Sequence, residues 1–513
     1  MAIASAGPDG AAAVGLVATA TGLATGDAAA GDAAAAALGD PAGFATALTA
    51  VAGGVLGTLV GGATGTAVGA AAGGGAAVVQ AITTASPATI PSQRFWRMAS
   101  RICPAVTTLR LAEALCLTEQ RQGDYRPAST PLPVKERMPS TLNIGVLGAG
   151  TWAHHAHIPG WQRDPRCKVV SICDVDRERA DAYATEFGIP EATDDWQALI
   201  GRADVDVIDI VTPSHTHYEL ACAALEAGKH VLCEKPVAYD FRQTRAASEL
   251  ARRKGLKTKL GFTFRYSPGV QFARSLLDEG FVGTPFIFNG YEQNSQWLDP
   301  AVPLRQVDPD ADQSVLATQS LEGYGAPIID IGHWWVGADY ARVVGTMRNF
   351  IPERMVRATG RSMRMNIDDG DIFLGEYTNG AIGSIQTSFV TIGNYPGVEA
   401  RLYGERGAII CRLVEEHGVA ETIRLARPDQ VEFDQVEIPA RFYPTGGHPR
   451  ESWRSLFYAN LIKDFLDEIE AGGERNQGNF EDGAWVQETI NAVELSFHQR
   501  RWVDLPLPAT SDA

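Results

Sequence analysis

The chain is poor in cysteine, short of basic residues, and over one long stretch carries no charge at all. Its 7 cysteines in 513 residues are scattered and odd in number, with no Cys-x-x-Cys pair. That usage gives neither a zinc knuckle nor a disulfide framework, and it points to reduced thiols in a cytoplasmic protein. Lys and Arg total 44 against 61 Asp and Glu, a formal net charge of -17. A surface that neutralises nucleic-acid phosphates needs clustered cations, so no nucleic-acid partner is expected. One small anionic ligand remains open, because backbone N–H groups at a helix start can hold it.

No residue from Pro41 to Gln93 is charged. Residues 1–91 as a whole form an Ala/Gly-rich, low-complexity extension without the large side chains of an ordinary core. Within 43–82, Gly53, Gly57, Gly61, Gly65, Gly69 and Gly73 recur every fourth residue. That spacing lines them along one helix face. Two readings stand. In lipid, a smooth glycine face lets helices pack closely, which would give the protein a membrane association. In water, each glycine costs a helix about 1 kcal/mol relative to Ala, and Leu, Ile and Phe are too sparse for strong insertion, which favours plain low-complexity chain. No basic region precedes the stretch, which argues against a signal peptide. Residues 92–140 read as a connector ending in the proline-rich "RPASTPLPVKERMP".

From Thr141 the pattern changes. "LNIGVLGAG" is a short apolar run that enters a loop with Gly148, Gly150 and Ala153, a GxGxxA spacing. Gly148 suits the tight turn, Gly150 the close approach of a pyrophosphate, and Ala153 the packing of helix on strand. Thr151 and Trp152 open the helix whose N–H groups would face the phosphates. A second buried run, "KVVSICDVD", ends at Asp174. A carboxylate there accepts hydrogen bonds from ribose hydroxyls and repels a 2′-phosphate, which favours NAD over NADP. The competing reading of Asp174 is a helix N-cap. Strand, helix and strand then alternate through "ADVDVIDIVTPSHTHYELACAALEAGKHVLCEKP". This predicts a strand over 205–211, a helix over 217–227, a strand over 230–233, and right-handed parallel crossovers. Thr212, Pro213, Ser214, His217, Glu234 and Lys235 fall at the carboxyl ends of those strands, where ligands of such sheets bind.

Lys235 follows its strand directly and precedes Pro236. A lysine held beside a nicotinamide can hydrogen-bond a substrate hydroxyl and help remove its proton as hydride leaves the same carbon. From the chemistry alone, a surface lysine ending a strand competes evenly with that role.

Three segments in this order and spacing, "GVLGAGTWAHHAH", "TPSHTHYELACAALEAGKHVLCEKP" and "GFTFRYSP", resemble the glucose–fructose oxidoreductase/inositol dehydrogenase/rhizopine-catabolism family (Gfo/Idh/MocA). The resemblance covers roughly seven-tenths of the chain. It implies an α/β protein: a Rossmann NAD-binding domain over 141–262, and a substrate and oligomerisation domain over 263–513 with a large, mostly antiparallel sheet. It assigns the catalytic lysine to Lys235, places Glu234 near the nicotinamide ribose and gives Pro236 the shaping of the turn. The family also carries an Asp and a His four residues apart on a helix over the nicotinamide. "GAPIIDIGHWW" offers Asp330 and His333, spaced by three, which still share a helical face. His333 is the expected acid/base and Asp330 its partner. A homo-oligomer, dimer or tetramer, is implied as well.

Arg265, Trp297 and Tyr324, with Tyr266, Gln293 and Gln296, are candidates for the wall of a sugar pocket, because a polyol needs directional polar groups and an aromatic face. Ordinary interface packing is the competing reading. No metal site is expected: His154, His155 and His157 lie at the start of the first helix, and Asp368, Asp369 and Asp371 lack the rest of a calcium loop and suggest a solvated strand entry. Asn379-Gly380 between two strand-like runs predicts a hairpin. The function expected is NAD-dependent oxidation of a secondary hydroxyl on a sugar, cyclitol or sugar derivative, or the reverse. Two alternatives remain: a glycoside-modifying enzyme that recycles NAD through a 3-keto intermediate, and a non-catalytic NAD-binding sensor.

Overall fold

The structure is a computed structural model that describes residues 141–304, 314–356, 359–392, 397–414, 419–472 and 477–509. The glycine-spaced segment and the connector lie outside the described residues. No described helix is long and apolar enough to cross a membrane.

The first half is a six-stranded parallel sheet. Its strands are β1 (Leu142–Leu147), β2 (Cys167–Cys173), β3 (Glu191–Thr193), β4 (Val207–Ile210), β5 (His230–Cys233) and β6 (Thr258–Leu260). The spatial order is β3-β2-β1-β4-β5-β6 with every pairing parallel. All four residues of β4 are buried, as expected of a central strand covered by helices on both faces. Those helices are α1 (Ile158–Arg163), α2 (Arg177–Phe187), α3 (Trp196–Ile200), α4 (His217–Glu226) and α5 (Phe241–Lys254). Their ends follow local chemistry. Asp176, Asp195 and Asp240 each accept a backbone N–H at a helix start, and Gly188 and Gly255 close α2 and α5 in the left-handed conformation. The N-cap of α2 is therefore Asp176, which leaves Asp174 outside that role.

The second half is built on a nine-stranded sheet. Its strands are β7 (Pro285–Gln293), β8 (Tyr340–Arg348), β11 (Gly370–Tyr377), β12 (Ile382–Ser388), β13 (Val398–Gly404), β14 (Ala408–Val414), β15 (Val419–Ala426), β16 (Asp434–Val436) and β17 (Val503–Asp504). The order is β16-β15-β14-β13-β7-β12-β11-β8-β17. Only β7 and β12 run parallel; the other pairs are antiparallel. A small pair, β9 (Glu353–Val356) and β10 (Arg361–Arg364), stands apart. The β11–β12 hairpin turns at Asn379-Gly380, with Gly380 at φ 88°. Helices α6 (Pro268–Asp278), α7 (Ala326–Val336), α8 (Trp453–Ala471) and α9 (Phe480–Gln499) complete the chain. Helices α7 and α9 cover one face of the sheet, while Phe286, Ile372, Leu374 and Ile382 are exposed.

Helix α8 belongs to the second half in sequence and to the first in packing. Tyr458, Leu461, Ile462 and Phe465 are fully buried in one cluster with Ile144, Val146, Ala156 and Trp161. Each such side chain contributes about 1.5–3 kcal/mol over leaving it exposed. The contact is close: a Cβ on Gly160 would lie 2.8 Å from Ile462 Cδ1.

Candidate active site

In a sheet of this order the strand sequence reverses between β1 and β4, and the crevice opens there. Gly148 follows β1 with φ 105°, and a Cβ on it would meet the Val211 carbonyl oxygen at 2.6 Å. Only glycine fits between these loops. A Cβ on Gly150 would meet nothing within 4 Å, so that backbone faces open space. Ala153 is fully buried, as the packing of helix on strand requires. The helix starts at Thr151 and passes through a π turn, Ala153–His157, before α1.

Asp174, at the end of β2, is held by three donors. Its Oδ2 accepts from Ala149 N at 2.7 Å, and its Oδ1 from Asp176 N at 2.9 Å and Arg179 Nη2 at 2.6 Å. Burial pushes this carboxyl up, but the hydrogen bonds from Arg179 and the two backbone N–H groups outweigh it and hold it below the usual range. Lone-pair sites remain for a ribose hydroxyl. Gly148, Gly150, Thr151, Trp152, Asp174, Thr212, Pro213, Ser214 and Lys235 all line one cleft of about 1340 Å³. The open backbone at Gly150, the helix start and the carboxylate at the strand end fit a dinucleotide along this wall.

Lys235 enters the cleft just after β5. Its Nζ donates to the Gly323 carbonyl oxygen at 2.6 Å. Gly323 belongs to a second π turn, Leu321–Gly325, that leads into α7. Asp368 caps this turn, accepting from Ser320 N at 2.9 Å, Leu321 N at 3.0 Å and Gln319 N. The opposite wall of the cleft comes from Thr318, Gln319, Glu322, Asn366 and Ile367. Glu322 is buried; its Oε2 accepts from Gln487 Nε2 at 3.0 Å, while its Oε1 has no partner. Burial pushes its carboxyl up to about 7 against the lowering effects of Gln487 and Lys235.

Two residues expected at the cofactor stand behind the cleft wall instead. His217 is buried, with Nδ1 2.7 Å from Pro236 O and Nε2 2.8 Å from Thr212 O. It braces the two loops that end β4 and β5. Glu234 turns away from the cleft: its Oε1 accepts from Trp152 Nε1 at 3.0 Å, faces His157 Nε2 at 3.2 Å and accepts from the Tyr458 hydroxyl. His157 also bonds Asp209 at 2.9 Å. Burial lowers the His157 pKa, but the Asp209 and Glu234 carboxylates raise it to about 9, so the imidazolium closes a buried charge network.

Asp330 and His333 do not converge on Lys235. They line a second cleft of about 810 Å³ together with Arg265, Trp334, Asp339 and Asp482. The reason is distance along the helix: Asp330 lies eight residues beyond Glu322, about 12 Å of helical rise. Arg265 donates to both Asp330 oxygens, through Nε at 2.8 Å and through Nη2, and reaches Asp482 at 3.0 Å. His333 Nδ1 is 3.3 Å from Asp339 Oδ1, an ion-pair distance without hydrogen-bond geometry, and its Nε2 is 3.3 Å from Thr489 Oγ1. Arg265 is thus an ion-pair residue away from the Lys235 cleft. Trp297 and Tyr324 meet edge to face at 6.2 Å and gather with Phe389; neither is among the residues lining the cleft. Asp368, Asp369 and Asp371, read as a solvated entry, are buried. Asp368 and Asp369 serve as internal caps, Asp369 accepting from Phe350 N at 2.6 Å and Arg354 at 2.8 Å, while Asp371 accepts from the Thr387 hydroxyl.

Sequence reasoning missed Glu322, Gln319 and Arg179 as cleft residues. Glu322 left one faint signal, a lone acid in "SLEGYGAP" just ahead of a helix start.

Residues 142–262 match the Gfo/Idh/MocA model described as an oxidoreductase family with an NAD-binding Rossmann fold, and residues 270–410 match the Gfo/Idh/MocA C-terminal domain. The chain is 27% identical over 388 residues to the levoglucosan dehydrogenase of Pseudarthrobacter phenanthrenivorans, covering 71% of this chain and 98% of that protein. It is 31% identical over 193 residues to the D-glucoside 3-dehydrogenase of Escherichia coli, covering 38% and 51%. The solved structure of levoglucosan dehydrogenase in complex with NADH and levoglucosan aligns at a TM-score of 0.60 and 25% identity, over 72% of this chain and 100% of that one. Two family models in succession, over a Rossmann half and a large-sheet half, place the chain in the Gfo/Idh/MocA family of NAD-binding oxidoreductases.

Proposed function

We propose that the protein is an NAD-dependent dehydrogenase that oxidises a secondary hydroxyl of a sugar, cyclitol or sugar derivative to the ketone, or reduces the ketone. The observation that carries this reading is the position of Lys235. It opens onto the same cleft as the Gly148–Trp152 loop and Asp174. NAD supplies the hydride acceptor when bound. The helix start at Thr151 would hold the phosphates, and Asp174 a ribose hydroxyl. The Lys235 side chain, anchored by one hydrogen bond to Gly323, keeps further donors for a substrate oxygen. The named relatives act on levoglucosan and a D-glucoside, which favours a cyclic polyol as the substrate class.

The similarity to a D-glucoside 3-dehydrogenase gives the glycoside-modifying alternative its support: oxidation at C3 with NAD recycled in one turnover. A non-catalytic sensor has less, because a sensor has no use for a lysine and a partnerless carboxylate at the reacting end of the cleft. The exposed apolar strands of the large sheet favour a homo-oligomer, which sedimentation of the full chain measures. The test of function is a panel of levoglucosan, myo-inositol and methyl glucosides with the full-length protein. NADH absorbance that rises with NAD supports net oxidation, and a product without net NADH supports the recycling reading. No conversion in either direction across the panel, with NAD bound, favours the sensor.

A further inference from the structure

Three buried carboxylate oxygens among the described residues have no hydrogen-bond partner: Glu292 Oε2, Glu322 Oε1 and Asp371 Oδ1. Buried polar groups are normally satisfied, so each exception asks for an explanation. Only Glu322 among the three lines the dinucleotide cleft. It is 5% exposed. One of its oxygens is fixed by Gln487 and the other is empty. Its neighbour in sequence, Gly323, anchors the Lys235 ammonium. Lys235 and Glu322 line the same cleft, and the Lys235 charge acts on the Glu322 carboxyl.

Resting on the dehydrogenase reading above, we propose that Glu322 is the catalytic base of the reaction, receiving the hydroxyl proton of the substrate while Lys235 donates to the same oxygen. The carbinol C–H bond breaks and its electron pair leaves as hydride to NAD. The O–H bond breaks, its proton goes to the Glu322 carboxylate, and its electron pair forms the carbonyl. The alcohol loses two electrons and NAD gains them. In reverse, the Glu322 carboxylic acid returns the proton. A base works best when its proton affinity is near the working pH. Burial raises Glu322 toward that range; Glu494 and Asp368 raise it further, Lys235 and Gln487 lower it, and the Tyr239 phenol faces it.

The test is the pH profile of kcat/KM in the full-length protein, on whichever of levoglucosan, myo-inositol and methyl glucoside it oxidises. The wild type loses activity as pH falls through about 7, as Glu322 takes up its proton. Glu322→Gln keeps the shape and the Gln487 contact, binds NADH normally, and loses about 100-fold or more in kcat/KM, with the acid limb gone. Glu322→Asp recovers part of the rate. Gln487→Leu is an independent probe: loss of its hydrogen bond moves the acid limb to higher pH, which a merely structural carboxyl would not do. If Glu322→Gln keeps wild-type rates and the same limb, or the limb stays fixed in Gln487→Leu, Glu322 is not the base. If Lys235→Ala instead turns over like the wild type, the dehydrogenase reading itself fails, and this assignment with it.

Discussion

The two clefts at the two ends of the 321–336 helical segment hold the same ingredients, cations among carboxylates, and use them differently. In the cleft of Arg265, charges are matched. The guanidinium spans both oxygens of Asp330 and reaches Asp482. In the cleft of Lys235, the ammonium is anchored by a peptide carbonyl, and Glu322 on the same cleft keeps one bare oxygen. A closed ion pair is a structural solution, and removing one member leaves the other uncompensated. An unfinished set of hydrogen bonds is what a substrate completes. The difference lies in what the open atom has beside it: His333 Nδ1 also lacks a hydrogen bond but faces Asp339 at 3.3 Å, whereas the bare oxygen of Glu322 belongs to the cleft that holds Lys235.

Four experiments sharpen or break that contrast. The largest effect is expected from Lys235→Ala: turnover falls by up to about 10⁴-fold, while NAD affinity by calorimetry changes by less than about threefold. Next, Arg265→Ala strips the partner from buried Asp330 and destabilises the fold by about 3–5 kcal/mol, read from urea unfolding. Similar losses of turnover from both changes, with both proteins folded, would erase the distinction between the clefts. A smaller effect of opposite sign is expected from Glu322→Gln. Its carboxyl is raised from 4.5 to about 7 in the folded chain, so its contribution to stability is fully present below about 4.5 and lost as pH rises through about 7. Above that pH the glutamine removes a buried charge and should raise stability by about 1–3 kcal/mol, with no gain at pH 4. A melt that falls at pH 8 would make Glu322 structural. The smallest effect is at His333→Asn, for which turnover should stay within about threefold; a loss of about 100-fold would return the base to the second cleft.

The strand-loop-helix units and the glycine loop were readable because their signals are local: apolar runs, glycine at fixed spacing, a carboxylate at a strand end. The position of Lys235, two residues past β5 at a carboxyl end of the sheet, was readable in the same way, while the chemistry alone leaves the choice between crevice and surface open and the resemblance decides it. The face shared by Asp330 and His333 was readable too. Periodicity gives a face, however, and not a position along the axis. Which turn of the 321–336 segment meets Lys235 depends on the π turn and on Asp368 capping it from the segment ahead of β11. Glu234 and His217 sit at the right places in sequence, but the direction of their side chains is set by Trp152, Tyr458 and the Pro236 carbonyl. The bare oxygen of Glu322 depends on Gln487, 165 residues away. None of that is encoded within a window of sequence.

Helix α8 gives the molecule an order of assembly. The cofactor-binding strands end at Leu260, and the side chains that seal them, Tyr458 to Phe465, are translated roughly 200 residues later, about 10–40 s at ordinary elongation rates. Until then the nascent chain carries an uncovered apolar stripe over β1 and α1. The half that emerges from the ribosome first thus waits for a helix made near the end of the chain, and NAD has a finished cradle only after nearly all of the polypeptide has been made.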